Sequence, residues 1–266
     1  MSSAAAGVTP SAEPGHGSAR TWRHSMSEQV TGLDRIAEPF REPVGNYARL
    51  VGEIAGDEAK SLTLFGAIAA GTFDPRRQVI RSVLVLGAVD LSVLRRIAEH
   101  GAKLGKHRIA APLIMTPGYI EASLDTFPLE LIEIQQMHLT LFGPDLFGDL
   151  SFKDAHVRLQ CERELKVILI GLRQGLLAAA GREKVISELE TTVADGLLRT
   201  LRGLLWLRGQ RAAKPAGGVL DEIEKMTDRK LPGVRVAVDA TAPHSWSEFE
   251  DLYQDVQALG EMADGW

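Results

Sequence analysis

The sequence predicts an α+β protein in which a small mixed β-sheet domain is followed by a bundle of α-helices. The apolar pattern changes at Gly143-Pro144. Before this point, apolar and β-branched residues form short runs such as Val83–Leu86, bounded by Gly and Pro, as in strands. After it, apolar residues recur every three or four positions over long stretches, as in amphipathic helices. We therefore expect a disordered tail at residues 1–27, the sheet domain at 28–150 and the helical domain at 151–266.

Seven elements are expected in the sheet domain, where short apolar runs alternate with turn residues. In order they are a helix over Val44–Ile54, strands around Leu62–Leu64 and Val83–Leu86, a helix over Leu91–Ala98, a strand over Ala111–Thr116, a helix over Tyr119–Leu124 and a strand over Leu129–Gln135. Asp90 is a preferred residue type for the N-cap of the second helix. Pro128 bounds the last strand, and together these elements predict a small mixed sheet.

Four helices are expected in the helical domain, each from an apolar stripe of helical period. They are a helix from a capping Asp154 to Gly181, a helix over Ile186–Leu204 that ends at Gly209, a short helix over Leu220–Met226 after a linker at 211–218, and a last helix over Phe249–Leu259 behind a capping box of Ser245 and Glu248. Leu169 and Leu201 lie in the middle of the two longest stripes. We therefore expect both side chains to be buried.

The charge and composition exclude some classes of partner. The chain has 30 Lys and Arg against 35 Asp and Glu, a net charge of −5, so no global basic surface for nucleic acid is expected. No apolar run reaches the length of a membrane span, and the N-terminal region lacks a secretory signal pattern. We therefore expect no membrane partner and a cytoplasmic location. Residues 1–25 are rich in Ala, Ser, Gly and Pro, and Met26 directly after them is an alternative start to Met1.

The residue types of common catalytic and metal sites do not occur in the patterns that those sites require. The single Cys161 cannot form an internal disulfide and lies on an apolar stripe, so we expect a buried core residue. None of the seven histidines forms the spaced pair of a zinc site. The Gly-x-Ser-x-Gly turn of serine hydrolases and the phosphate-binding Gly-x-x-x-x-Gly-Lys-Ser/Thr loop are absent from the sequence. We therefore assign no catalytic and no metal-binding residues.

Four segments, in their order and spacing, carry a resemblance to a known superfamily. They are Leu62–Gly66, Ser82–Leu86, Ser123–Glu130 and Leu159–Leu165, within a region of roughly 165 residues. The chain resembles the nucleotidyltransferase superfamily, which includes DNA polymerase β and the aminoglycoside nucleotidyltransferases. More closely, it resembles a group of uncharacterised bacterial proteins in which a nucleotidyltransferase domain precedes a helical domain.

The resemblance implies a site in which two divalent metal ions and a nucleoside triphosphate are held together. In the superfamily a Gly-Ser turn holds the triphosphate, and the next strand presents an Asp-x-Asp pair to two Mg²⁺ ions. A neighbouring strand supplies a third carboxylate. In this chain Gly66 matches the glycine of the turn, while Ala67 replaces the serine and removes a hydroxyl donor.

The carboxylates of this template are largely missing. The Asp-x-Asp positions fall at Ile80 and Ser82, or two residues earlier at Gln78 and Ile80, and neither alignment contains an acid. Glu130, or alternatively Glu133, corresponds to the third carboxylate. One carboxylate without its partners cannot hold two Mg²⁺ ions. The resemblance therefore implies a degenerate active site.

Two acidic residues could still contribute to a metal site, and each has a simpler interpretation. Asp74 lies beside Pro75 in a loop, where an aspartate usually bonds the local backbone, so we expect a turn residue. Glu130 is expected to form an ion pair with Arg158 or Arg163 of the first long helix.

The leading hypothesis is a nucleotidyltransferase-like protein without transferase activity and without a cofactor, which acts as a binding or regulatory module. Its vestigial nucleotide-binding candidates are Gly66, Ala67, Asp74 and Glu130, and its partner would be a nucleotide or a protein. One alternative is an active nucleotidyltransferase that uses Mg²⁺ and an NTP with the displaced carboxylates Asp74 and Glu130. Another is an oligomerising interaction protein, such as a homo-oligomer, in which the cleft is vestigial.

Overall fold

The computed structural model describes residues 30–180, 182–239 and 245–264, which form an α+β architecture. Its strands are β1 (Ala59–Phe65), β2 (Arg81–Leu86), β3 (Leu113–Met115) and β4 (His138–Phe142). Its helices are α1 (Glu38–Ala55), α2 (Leu91–Ala98), α3 (Gly101–Lys106), α4 (Pro117–Ala122), α5 (Pro128–Gln136), α6 (Asp154–Ala179), α7 (Glu183–Leu207), α8 (Ala216–Thr227), α9 (Pro232–Asp239) and α10 (Trp246–Asp264). The expected tail at 1–27 and the expected helix end at Gly181 lie outside the described residues.

The four strands form one mixed sheet in the order β3-β2-β1-β4. The strand β1 is antiparallel to both of its neighbours, while β2 and β3 are parallel. Phe65, the last residue of β1, pairs with Arg81 at the start of β2 and with His138 at the start of β4. The turn that follows β1 therefore lies at the same end of the sheet as the first residues of β2 and β4.

The two faces of the sheet pack against different helices, as the two-residue period of strand β2 shows. Leu84 and Leu86 belong to a core cluster with Tyr47 and other residues of α1. Val83 and Val85 belong to a second cluster on the opposite face. The hydroxyl groups of Tyr47 and Ser82 lie 2.7 Å apart in a buried hydrogen bond, so Ser82 is directed towards α1. Desolvation raises the pKa of this tyrosine to about 12.

The segment predicted to be the last strand of the sheet, Leu129–Gln135, is instead the helix α5, and β4 follows it. This helix lies between the sheet and the long helices α6 and α7, so it is buried on nearly all sides: Leu129, Leu131, Ile132 and Ile134 are each 1% exposed. Its apolar residues are interrupted by single glutamates in a short run that a buried strand would also produce, which is why the prediction was wrong. Pro128 occupies the first turn, where proline favours a helix.

The core of the helical region is continuous with the face of the sheet that carries Val83 and Val85. One cluster of buried side chains extends from that face through α5 to the last helix. Leu201 is fully buried, as predicted, whereas Leu169 is only partly buried against this cluster. Cys161 is buried, also as predicted, and burial raises the pKa of its thiol to about 12.

Several helix ends differ from the sequence prediction. Asp154 is the first residue of α6 rather than its cap; the N-cap residue is Lys153, which makes no side-chain capping hydrogen bond. The helix α8 begins at Ala216, inside the segment expected to be a linker, and α9 was not predicted at all. The capping box of α10 is confirmed, because the Ser245 N–H donates to the Glu248 carboxylate and the Glu248 N–H donates to the Ser245 hydroxyl.

One face of α6 exposes a row of large apolar side chains to solvent. Leu159, Val167, Ile170 and Leu177 are between 51% and 81% exposed. Helices are the main elements of the described chain, but none of those described has both the length and the apolarity to span a membrane.

The contrast between buried and exposed leucines in the long helices gives a test of the packing. Leu201→Ala should lower the free energy of unfolding by about 2–5 kcal/mol, because the truncation leaves a cavity in a filled core. Leu177→Ala, at an 81% exposed position, should change it by less than about 0.5 kcal/mol. Urea denaturation followed by circular dichroism measures both. Equal losses at the two sites would contradict the described packing of α6 and α7.

A buried carboxylate joins α10 to the start of α9. Asp255 is 3% exposed, and its Oδ2 accepts hydrogen bonds from the backbone N–H groups of Gly233 (2.9 Å) and Val234 (3.2 Å). The two helices approach so closely that a side chain at Gly233 would collide with the backbone of Leu252. Burial raises the pKa of Asp255 to about 6 despite these two hydrogen bonds. Ionised Asp255 is therefore disfavoured by folding.

This carboxylate should make the stability of the protein depend on pH between about 4 and 6. The folded state holds the proton of Asp255 more tightly than the unfolded state, so its contribution to the free energy of unfolding falls as pH rises through this window. Asp255→Asn keeps an acceptor oxygen but removes the ionisation. Relative to wild type, the variant should gain stability from pH 4 to pH 7, by at most about 3 kcal/mol. Parallel pH profiles of the two proteins in thermal denaturation would rule out this role.

Candidate functional site

A cavity of about 470 Å³ lies at the end of the sheet where β1 ends and β2 and β4 begin. Its sheet side includes the turn at Gly66-Ala67, and its far wall is α7 with the segment that leads into α8. The polar and charged residues that line it are Arg35, Thr72, Gln78, Arg81, Glu133, Gln136, His138, Asp195, Arg199, Arg202 and Lys214. Five of these side chains are Arg or Lys, and two are acidic, so the lining favours an anion.

The turn at Gly66 fits closely against an arginine. Gly66 has a φ of +75°, which a residue with a side chain rarely adopts, and its N–H donates to the carbonyl of Met137 at 2.8 Å. A Cβ atom at this position would lie 2.7 Å from the guanidinium of Arg81. The same guanidinium stacks over the ring of Phe65, 4.7 Å from its centroid. Glycine therefore leaves room for Arg81 to lie directly beside the turn.

A buried carboxylate, Glu133, connects three elements at the cavity. One of its oxygens accepts a hydrogen bond of 2.6 Å from Arg81 of β2, and the other accepts a hydrogen bond of 3.3 Å from Arg199 of α7. Glu133 itself belongs to α5 and is 7% exposed. Burial alone would raise its pKa, but Arg81, Arg199 and Arg202 outweigh burial and hold the pKa below its ordinary value. Glu133 is therefore ionised near neutral pH.

Glu130, one turn earlier on α5, faces the helical region. Its carboxylate pairs with Arg199 at 2.8 Å and accepts a hydrogen bond of 2.8 Å from the amide of Gln160. The prediction of an ion pair with a helical residue was thus right in kind, but the partner is neither Arg158 nor Arg163. Glu130 is also not a residue that lines the cavity, because it stands on a helix beside α6 and α7 instead of on a strand of the sheet.

The third arginine of the cavity, Arg202, lies one helical turn after Arg199 and differs from it in its contacts. Its Nε is sealed from solvent and has no hydrogen-bond partner. Burial lowers the pKa of this guanidinium, and the neighbouring charges of Arg81 and Arg199 lower it further, while Glu133 and Asp195 only partly compensate. Among the described residues, this partly buried guanidinium in the cavity wall therefore has no ion pair at salt-bridge distance.

A histidine on the cavity wall is held from both sides of its ring. The Nε2 of His138 lies 2.9 Å from the carboxylate of Asp145, and its Nδ1 lies 2.9 Å from the carbonyl oxygen of Gln135. Asp145 also accepts hydrogen bonds from the N–H groups of Phe147 and Gly148. Although partial burial opposes it, the contacts with His138 and with these backbone groups lower the pKa of Asp145. His138 is therefore a positioned side chain of β4, with both ring nitrogens engaged.

The structure brings together only some of the residues that the sequence singles out. Gly66 and Ala67 line the cavity, whereas Asp74 does not. The carboxylate of Asp74 accepts a hydrogen bond of 2.9 Å from the Arg76 N–H in its own exposed turn, which is the turn role expected for it. Asp74 is therefore already engaged with its local backbone, away from the cavity.

In neither alignment of the Asp-x-Asp pair does a paired position within strand β2 line the cavity. Ile80 and Ser82 are buried on the face of the sheet that packs against α1. Gln78 lines the cavity but precedes the strand, and within β2 the residue that lines the cavity is Arg81. An arginine therefore occupies the strand position beside the Gly66 turn.

Sequence reasoning missed the basic residues of the site, although a signal for them exists. Glu130 and Glu133 are three residues apart on α5, and Arg199 and Arg202 are three residues apart on α7. Residues at this spacing share one face of a helix. Two helices that face one another can be joined by ion pairs between such an acidic pair and such a basic pair. This pattern can be recognised in the sequence only if the segment that contains Glu130 is predicted to be a helix.

In the described part of the chain, no group of three or more His, Cys, Asp or Glu side chains is placed to hold a metal ion. Comparison with the models of known protein families finds no match to the chain, and comparison with curated proteins finds none either. The chemistry of the site is therefore argued from its own geometry.

The ion pairs of Glu133 should stabilise the fold as well as the site. Glu133→Gln should lower the free energy of unfolding at pH 7 by about 3–5 kcal/mol, because it leaves two guanidinium groups without their buried partner. Glu130→Gln is the matched control and should cost less, since its carboxylate is one third exposed. Denaturant unfolding of the three proteins measures the difference.

The same pair predicts a pH dependence. The folded-state pKa of Glu133 lies below its ordinary value of 4.5, so its stabilising contribution is present above that pH and is lost as pH falls through the folded-state pKa. The difference between wild type and Glu133→Gln should therefore shrink when the pH is lowered below about 4.5. A constant difference from pH 7 to pH 3 would contradict this assignment.

Proposed function

We propose that this chain is a nucleotidyltransferase-like binding or regulatory module that holds a nucleotide in its cavity and does not transfer nucleotidyl groups. The observation that carries the proposal is the position of Arg81. This residue lies at the cavity beside the Gly66-Ala67 turn, on the strand from which the superfamily presents its metal-binding carboxylates. A guanidinium at this position binds phosphate oxygens well but cannot ligate a divalent cation.

The acidic residues near the cavity support the absence of two-metal chemistry. Both oxygens of Glu133 are engaged by arginines, and Glu130 is engaged by Arg199 and Gln160. Asp74 is bound to its own turn. A hard cation such as Mg²⁺ needs several oxygen ligands, and recruiting these carboxylates would break buried ion pairs that are costly to lose.

The shape and charge of the cavity support a phosphate-bearing ligand. A volume of about 470 Å³ lies in the range of small-molecule sites. The backbone turn at Gly66 lies on one wall, and the cations of α7 lie on the other. A ligand bound between them would contact both the sheet and the helical region, so its binding would be sensitive to how the two are arranged. This is a suitable arrangement for a regulatory module.

Binding and transfer can be tested separately. Thermal unfolding with each NTP should show an upward shift for at least one nucleotide, since a ligand at a hundred times its dissociation constant adds about 2.7 kcal/mol of stability. Arg81→Gln should reduce this shift, and Arg96→Gln, an exposed substitution on α2, should leave it unchanged. Incubation with α-labelled NTPs, Mg²⁺ or Mn²⁺ and cell extract should transfer no label.

Two results would overturn this proposal in different directions. Label transfer that is lost in Asp74→Ala or Glu130→Ala would establish an active nucleotidyltransferase with displaced carboxylates. No thermal shift with any nucleotide would remove the binding function and favour the interaction-protein alternative, for which the exposed apolar row of α6 is the first surface to mutate.

A further inference from the structure

We infer that the cavity binds the phosphate groups of its ligand directly through arginine side chains, with Arg202 as the principal contact, and needs no divalent cation. This inference rests on the proposed function and specifies the class of ligand as a phosphate ester or pyrophosphate in its metal-free form. It concerns the residues of α7, which the resemblance to nucleotidyltransferases does not assign to the site.

Of the four arginines that line the cavity, Arg81, Arg199 and Arg202 differ in their ion-pair partners. Arg81 and Arg199 are both neutralised by Glu133, and Arg199 is neutralised also by Glu130. For Arg202 no ion pair or hydrogen bond is present among the described residues, and its Nε is buried without an acceptor. A positive charge in this setting is unfavourable, so an anion that enters the cavity would supply the missing counter-charge.

The positive charges around Glu133 disfavour the binding of a metal ion. Arg81, Arg199 and Arg202 all act on one another or on Glu133 electrostatically, which places three guanidinium groups around a single buried carboxylate. A divalent cation added to this group would be repelled by all three and would have to take Glu133 from its partners. A phosphate group would instead be attracted by the three guanidinium groups, which bind phosphate oxygens in a fork-like, charge-assisted geometry.

The cavity leaves room for a ligand beside the side chain of Arg202. Only its Nε is sealed from solvent among its side-chain nitrogens, and the side chain lines the cavity opposite the turn at Gly66-Ala67. Lys214 also lines the cavity, and its Nζ lies 3.5 Å from a carboxylate oxygen of Glu222. A ligand phosphate can therefore reach the end of Arg202 without displacing the Glu133 ion pairs.

The test uses pyrophosphate and ATP as probes in isothermal titration calorimetry with the full chain, in EDTA and in excess Mg²⁺. The dissociation constant in EDTA should be equal to or lower than that in Mg²⁺, because the metal would mask phosphate charge that the arginines bind. Arg202→Gln should weaken binding by at least tenfold. Arg202→Lys should weaken it less than Arg202→Gln, because the charge remains but the planar fork is lost. Arg96→Gln should have no effect.

A second readout separates a binding role of Arg202 from a structural one. Without added ligand, Arg202→Gln should unfold at the same temperature as wild type or at a higher one, because it removes a partly buried charge whose desolvation Glu133 and Asp195 only partly offset. A lower unfolding temperature would show that Arg202 is needed for the fold and would overturn its assignment as the principal ligand contact.

The remaining outcomes distinguish this inference from the proposed function. Binding of ATP that requires Mg²⁺ and is abolished by EDTA would overturn the metal-free mode while leaving nucleotide binding in place. Binding that is metal-independent but unchanged in Arg202→Gln would overturn the role of Arg202. Failure of both probes to bind under either condition, at concentrations up to millimolar, would overturn the inference and the proposed function together.

Discussion

The buried carboxylate of Glu133 is the constraint on which the arrangement of this protein depends. It lies on a helix between the sheet and the bundle, and it accepts hydrogen bonds from β2 on one side and α7 on the other. An ionised carboxylate at 7% exposure is tolerated only with such partners. The positions of Arg81 and Arg199 are therefore fixed by the same group, and the cavity between the sheet and α7 is bounded by residues that hold those elements together.

The pairing of the strands explains why this junction is also the candidate site. Because β1 is antiparallel to both neighbours, its last residue lies beside the first residues of β2 and β4. The turn at Gly66, the guanidinium of Arg81 and the ring of His138 are brought to one edge by this register alone. Glycine is favoured there by its φ of +75°, and a side chain at this position would also displace the guanidinium of Arg81. Gly66 thus connects the backbone conformation of the turn with the position of the Arg81 charge.

Much of this fold could be predicted from the sequence, and the errors have a common physical cause. Strands β1 and β2, the cap at Asp90 and the long helices follow from apolar period and capping chemistry, and the structure confirms them. The helix α5 could not be predicted, because its apolar residues cover most of its circumference and leave a polar face too narrow to distinguish a short helix from a strand. That error hid the pairing of Glu130 and Glu133 with Arg199, which lies 69 and 66 residues further along the chain.

The candidate site was predicted in part for the same reason. The turn at Gly66-Ala67 is a local feature, so its role at the cavity could be anticipated from its residues. Both faces of β2 are buried, so Val83–Leu86 shows no alternation of apolar and polar residues. The sequence therefore does not indicate which residues of β2 are on the same side as the cavity. The arginines of α7 could not be assigned to the site at all, since their contacts cross from one half of the chain to the other.

A junction built around guanidinium groups behaves differently from a metal site built from carboxylates. A pair of carboxylates on a strand repels itself and gains stability when metal ions bind, so the empty site is the strained one. Here the carboxylate of Glu133 pairs with Arg81 and Arg199, and the Nε of Arg202 has no hydrogen-bond partner. Glu133 therefore connects β2 with α7, while Arg202 keeps hydrogen-bonding capacity for an anion. Because Arg202 lies on α7 and the Gly66 turn follows a strand of the sheet, an anion bound between them would add a further connection across the interface that Glu133 already holds.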